Sequence, residues 1–149
     1  MARPIIRSPW WLVCCFALAC WDGRSEGQLT ERERLQGTWT FVKSSGEGQK
    51  KRTRDVKMVF KDDTISFIGN DDKRTVRGTY EVDPTKNPKT LDIVIEKDSG
   101  ATEITLAIYE MTGDNLKICH YLGAKAGKER PTQFLTDKQT VVGTLKRER

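Results

Sequence analysis

Residues 76–95 read VRGTYEVDPTKNPKTLDIVI, two alternating segments on either side of a proline-containing turn. Large apolar residues recur at alternate positions on both sides of the turn: Val76, Tyr80, Val82, Leu91, Ile93 and Ile95. A period of two is typical of strands that bury one face. The stretch therefore predicts an antiparallel hairpin with its turn at 83–88, where proline and Asp/Asn residues favour chain reversal.

The same period extends along the chain on both sides of this hairpin. It appears at Trp39/Phe41, Val56/Met58/Phe60, Ile65/Phe67, Ile104/Leu106/Ile108, Leu116/Ile118 and Val141/Gly143/Leu145. Eight short strands with tight turns and no helical pattern among them predict an antiparallel meander. Closing such a sheet buries its apolar face and removes its exposed edges. We expect an all-β fold, a small up-and-down β-barrel of about eight strands, with a β-sandwich as the alternative.

A short helix is predicted just before the first strand. Thr30 followed by Glu33 forms a capping-box pattern, and Gly37 suits a helix end. These signals predict about two turns over 29–36, with Leu29 and Leu35 seating the helix on the barrel.

The N-terminal segment has the features of an export signal. Arg3 and Arg7 precede the apolar run WWLVCCFALA at 10–19. This run is too short to span the roughly 30 Å hydrocarbon core of a membrane. We expect a signal peptide at 1–19, a tether at 20–28 and a barrel domain at 29–149.

Cys20 gives the cleavage site two interpretations. Residues 17–19 (ALA) fit ordinary signal cleavage, whereas ALAC at 17–20 resembles a bacterial lipobox in which Cys20 carries lipid. The lipobox favours a membrane-tethered lipoprotein of the cell envelope, and ordinary cleavage a periplasmic or extracellular protein. In either case Cys119 is left without a disulfide partner in the domain, and we expect it to be a buried small apolar residue.

Composition and motifs exclude several classes of function. The full chain has 26 basic and 21 acidic residues. Removal of the segment that contains Arg3 and Arg7 leaves a net charge of +3, which is too low to indicate nucleic-acid binding. The chain has one histidine and no phosphate-binding loop, nucleophile elbow or zinc-protease motif. We expect a protein that is not an enzyme and that needs no metal or cofactor.

Five sequence blocks carry a family resemblance: LQGTW (35–39), VDPTKNPKTLDI (82–93), IYEMTGDNLKIC (108–119), GKERPTQF (127–134) and LKRE (145–148). Together they resemble a lipocalin-like β-barrel domain family common in exported planctomycete proteins, and GTW at 37–39 matches the lipocalin G-x-W opening. The resemblance runs from about 29 to 148. It implies the barrel and an envelope or extracellular setting, and it implies no activity or catalytic residue.

A barrel of this size is compatible with two functions. Its interior holds one small apolar or amphipathic ligand, or it is packed solid and the protein is a structural or protein-interaction module of the envelope. The candidate ligand-binding residues are His120, Arg130, Tyr80 and Trp39. Gly78 and Gly143 leave space on the inward face, which predicts a narrow apolar cavity near His120.

Two basic features have simpler interpretations that we favour. Residues 50–54 (KKRTR) are expected to form a solvated loop, with contact to anionic headgroups as the alternative. Arg130 is expected to tie its loop to backbone carbonyls or an acidic neighbour, with a ligand carboxylate as the alternative.

Overall fold

The computed structural model describes residues 29–45, 56–69 and 75–149. The predicted signal peptide, the tether with Cys20 and the basic segment 50–54 lie outside the described residues. The elements in chain order are α1 (Glu31–Leu35), β1 (Gly37–Ser45), β2 (Lys57–Lys61), β3 (Thr64–Ile68), β4 (Thr75–Asp83), β5 (Lys89–Glu96), β6 (Thr102–Thr112), β7 (Asn115–Tyr121) and β8 (Thr140–Arg147). A single 3-10 turn at Gly123–Lys125 lies between β7 and β8.

The eight strands form a closed antiparallel barrel. Each strand pairs with its neighbour in sequence, and β8 pairs with β1 to complete the ring. Closure brings Trp39 opposite both Met58 of β2 and Arg147 of β8. The prediction of an up-and-down barrel is therefore confirmed, and the sandwich alternative is excluded.

The helix α1 begins as the capping box predicts. The Glu33 backbone N–H donates to Thr30 Oγ1 at 3.2 Å, and the Thr30 backbone N–H donates to Glu33 Oε2 at 2.7 Å. Leu35 is fully buried, but Leu29 is 63% exposed, so the expected packing of Leu29 is wrong. The helix has little more than one turn, and it meets the barrel through the buried Leu35 and through Glu31, which pairs with Lys89 of β5.

The strand β6 turns a different face inward from the one predicted. Ala107, Tyr109 and Met111 join the interior core, whereas Ile108 lies in a second apolar cluster with Cys119 and Val142 on the outer side of the sheet. Phe134, from the long connection before β8, packs against this outer cluster. Because both sides of β6 are covered here, its sequence carries apolar residues on both faces and does not reveal the inward one.

The barrel has two distinct ends, which follow from the strand directions. The closed end carries α1 and the turns at 62–63, 84–88 and 113–114. The other end, which we call the open end because the interior next to it contains a cavity, carries among the described residues the turn at 97–101 and the connection at 122–139. β1 runs from the closed end to the open end, so residues early in β1 belong to the closed half and residues late in β1 to the open half.

Candidate functional site: an interior cavity in the open half

Large side chains fill the closed half of the barrel. Those with almost no solvent exposure include Leu35, Trp39, Phe60, Tyr80, Leu91, Tyr109, Leu116 and Leu145. The rings of Phe60 and Tyr80 meet edge to face, with their centroids 4.9 Å apart. These side chains belong to one buried apolar cluster, as expected of a protein core.

Trp39 seals the closed end rather than contacting a cavity. Its indole Nε1 donates to the carbonyl oxygen of Leu35 at 2.8 Å, so its polar atom is satisfied. The Arg147 guanidinium lies 4.2 Å from the Trp39 ring and donates to the carbonyl oxygens of Arg34 and Gln36. This one arginine joins the end of β8 to α1 and to the tryptophan.

Tyr80, a second candidate ligand residue, also belongs to the closed end. Its hydroxyl donates to the carbonyl oxygen of Asp62 at 3.0 Å and accepts from Gln36 Nε2 at 2.8 Å. The structure therefore places Trp39 and Tyr80 in the seal, with their polar atoms engaged by protein groups.

The open half contains an interior cavity of about 210 Å³. Its walls come from seven of the strands and consist of Phe41, Met58, Phe67, Ile93, Thr105, Ile118, His120, Val141 and Gly143. Among the described residues, Thr105 and His120 alone bring polar side chains to it. Gly143 supports the Phe41 ring, since a Cβ at this glycine would stand 2.8 Å from Phe41 Cε1.

Gly78 does not border this cavity, contrary to the sequence-based expectation. A Cβ at Gly78 would lie 2.3 Å from the carbonyl oxygen of Val94, so the glycine permits a close approach of β4 to β5. A larger residue there would disrupt strand pairing instead of filling the cavity. Gly143 does line the cavity, and its missing side chain makes room for the ring of Phe41.

His120 lies in the cavity wall near the open end, as predicted. Its Nδ1 is 3.1 Å from the carbonyl oxygen of Tyr121. A carbonyl only accepts, so Nδ1 carries the hydrogen and Nε2 of the neutral ring is an acceptor. Burial lowers the pKa of His120 below its ordinary 6.5, which favours this neutral form.

Arg130 lies on the outer surface, away from the cavity. Its Nη1 donates to the carbonyl oxygen of Ala107 at 2.7 Å, and its Nη2 lies 2.6 Å from Asp92 Oδ1. It borders an open groove of about 620 Å³ whose lining carries charges of both signs. These contacts tie the loop of Arg130 to β5 and β6, which is the role that we favoured for this residue.

Cys119 and His120 point to opposite sides of β7, as strand geometry predicts. Cys119 is fully buried in the outer cluster, and its Sγ contacts the carbonyl oxygen of Gln133 at 3.6 Å. Burial raises the pKa of the thiol to about 11, so it is protonated and unreactive at neutral pH.

Thr105 is the cavity residue that sequence reasoning missed. The prediction placed Ile104, Leu106 and Ile108 inward, which would turn Thr105 to the surface. The signal for the other face was the series Ala107, Tyr109 and Met111, which continues the row of Thr105.

The part of the chain that the structure describes contains neither a metal-ligand cluster nor a membrane-spanning helix. Within residues 29–45, 56–69 and 75–149, no three His, Cys, Asp or Glu side chains are placed to hold a metal ion. In the same ranges, no helix has the length and apolar character needed to cross a membrane.

Comparison with known proteins agrees with the barrel and its G-x-W opening. A family model described as a lipocalin-like domain matches residues 35–118, more than half of the 149 residues. No curated protein and no solved structure matches the chain at a significant level. The chain belongs to the lipocalin-like domain family.

Proposed function

We propose that this protein binds one small apolar or amphipathic molecule in the open half of its barrel. The observation that carries the proposal is the interior cavity of about 210 Å³ within a closed barrel. Eight-stranded barrels have interiors that hold packed side chains or one small ligand, and lipocalins are the ligand-binding case. The alternative, a structural or protein-interaction module, expects a barrel that is packed solid throughout. Only the closed half is packed in this way.

The cavity volume and lining define the size of ligand. A dry protein cavity of about 150 Å³ accepts benzene, whereas pockets for drug-sized ligands begin at roughly 300 Å³. At about 210 Å³, the cavity suits a single substituted ring or a short acyl segment. Contact with Phe41, Ile93 and Ile118 removes apolar ligand surface from water, which contributes about 25 cal/mol per Å².

The proposal also includes the setting of the protein and the absence of catalysis. The apolar run at 10–19 and Cys20 support export and tethering to a membrane by a lipidated Cys20. The motifs for nucleophilic, phosphoryl-transfer and zinc-dependent catalysis are lacking from the sequence, which supports a binding role. Labelling of cells with a fatty-acid analogue tests the tether, because the wild type takes up label and Cys20→Ser does not. An unlabelled wild type contradicts lipidation and leaves ordinary secretion.

Ligand binding is tested by thermal unfolding with toluene as the probe. A ligand that binds only the folded state raises the unfolding midpoint as its concentration exceeds the dissociation constant. We expect toluene to raise the midpoint of the wild type. Val141→Phe, which fills the cavity, removes this increase.

Val42→Phe is the matched control, because Val42 is 58% exposed at a bulge in β1. This variant keeps the increase caused by toluene. The ligand-free midpoint of each variant shows whether it folds, and Ile93→Phe provides a second filled cavity if Val141→Phe does not. An unchanged wild-type midpoint up to saturating toluene contradicts the proposed function.

A further inference from the structure

The pairing of β6 with β7 stops before the open end of the barrel. The last pair that joins these strands is Ala107 with His120. Beyond it, β6 continues from Leu106 to Thr102 and, among the described strands, pairs only with β5, and the connection after β7 lies against it, since a Cβ at Gly127 would stand 2.6 Å from the Ile104 carbonyl oxygen. We call this break in the β6–β7 pairing, next to His120, the gap.

Two side chains at this gap border two separate spaces. Thr105 and His120 line the interior cavity, and both also line a groove of about 420 Å³ on the outer surface. A molecule whose apolar part fills the cavity is thus able to place its polar end at the gap, in contact with these two side chains.

The His120 ring determines which polar end fits there. Its Nδ1–H is engaged by the carbonyl oxygen of Tyr121, the one hydrogen-bond partner that this ring has among the described residues. The remaining ring nitrogen, Nε2, accepts a hydrogen bond. A ligand group at the gap is therefore recognised if it donates a hydrogen.

Positive charge at the gap lies on the outer groove and not in the cavity. No cationic side chain lines the interior cavity within the described ranges. Of the two lysines that border the outer groove, Lys97 has its Nζ 2.8 Å from Glu103 Oε2, whereas Lys128 makes no ion pair within the described ranges. A carboxylate at the gap would direct its lone pairs at the Nε2 lone pair, whereas a neutral hydroxyl has the required hydrogen.

We propose that the ligand is a small hydroxyl-bearing amphiphile, with its apolar body in the cavity and its hydroxyl donating to His120 Nε2 at the gap between β6 and β7. This inference rests on the proposed function. A phenol with a para substituent and a short aliphatic alcohol both belong to this chemical class.

The test compares three ligands of nearly the same shape on the full chain: toluene, p-cresol and p-toluate. Dissociation constants are measured by NMR titration of the methyl signals of Ile118 and Val141. We expect p-cresol to bind the wild type about 5- to 10-fold more tightly than toluene, which corresponds to one net hydrogen bond, and p-toluate to bind more weakly than p-cresol.

Variants of His120 show whether the histidine causes the preference. His120→Leu removes the acceptor, so p-cresol and toluene bind this variant equally. His120→Gln keeps an acceptor oxygen and restores part of the preference, which a purely steric role of the ring would not do. Two-dimensional NMR spectra of each variant confirm that it is folded.

The outcomes separate this inference from the function on which it rests. Equal binding of toluene and p-cresol to the wild type overturns the inference and leaves the apolar cavity as a binding site. Preference for p-toluate, or a preference for p-cresol that is lost in Thr105→Val and kept in His120→Leu, also overturns it. Failure of all three ligands to bind overturns the inference and the proposed function together.

Discussion

The closed and open halves of the barrel use the same alternating strands but differ in what fills the interior. In the closed half, Trp39, Phe60 and Tyr80 belong to one buried cluster next to α1. The polar atoms of Trp39 and Tyr80 are satisfied by backbone groups or by Gln36. In the open half, the interior contains a cavity, and the pairing of β6 with β7 stops at His120 in its wall. The comparison indicates that one continuous sheet encloses a solid core in one half and, in the other, the cavity that we propose binds a ligand.

The largest expected effect compares the same truncation in the two halves. Phe60 is buried in the closed half, and Phe67 is a partly buried wall residue of the cavity. We expect Phe60→Ala to lower the free energy of unfolding by about 3–5 kcal/mol and Phe67→Ala by less than about half of that, because the second deletion enlarges an existing space. Urea unfolding of both variants gives the two values. Equal losses would remove the distinction between the halves.

The next effect concerns the seal of the closed end. Arg147→Met removes the hydrogen bonds to the Arg34 and Gln36 carbonyl oxygens and the contact with Trp39, so we expect a loss of about 2–3 kcal/mol in the free energy of unfolding. Arg149 is the matched control, since it also pairs with Asp114 but its side chain is 87% exposed. We expect no measurable loss in Arg149→Met. Similar effects of the two substitutions would contradict the role of Arg147 in the seal.

The smallest effect is a pH dependence from the open half. The folded-state pKa of His120 is below 6.5, chiefly because of burial, so the unfolded chain binds a proton that the folded chain resists. The free energy of unfolding is unaffected by this group above pH 6.5 and falls as the pH decreases from 6.5 toward the folded-state pKa. His120→Gln removes this part of the pH dependence.

NMR measures this pKa directly, because the chain has one histidine. The midpoint of the ring signal is expected below 6.5 in the folded protein. The Asp and Glu groups with lowered pKa values, such as Asp83 and Glu148, lose their contributions below about pH 5, so above that pH the effect of His120 is measured without theirs. A midpoint at or above 6.5 would place His120 in water instead of in a cavity wall.

Strand order and the helix cap were predictable from local sequence, because each depends on residues close together in the chain. The capping box needs only Thr30 and Glu33, and the alternation around Leu91 and Ile93 marks one face of one strand. The inward face of β6 was not predictable. Phe134, which is distant in sequence, packs against the outer cluster that contains Ile108. Because the outer side of β6 is covered in this way, the strand has apolar residues on both faces.

The candidate site was predicted in part, for a reason of the same kind. Alternation tells which side of the sheet a residue faces, but it does not tell how far along the barrel axis the residue lies. His120 was placed correctly because it lies next to the last residue of β7, whereas Trp39 and Tyr80 face inward at the closed end, away from the cavity. Gly78 likewise has a role in strand approach that depends on the Val94 carbonyl of the neighbouring strand.

The most direct test of the two-half account is to locate a bound apolar molecule among the methyl groups of the interior. With toluene at saturation, intermolecular nuclear Overhauser effects are predicted to the methyl groups of Ile93, Ile118 and Val141, which line the cavity. None is predicted to the methyl groups of Leu91 and Leu145 in the closed half. Contacts with Leu91 and Leu145, or none with the three cavity residues, would contradict the account.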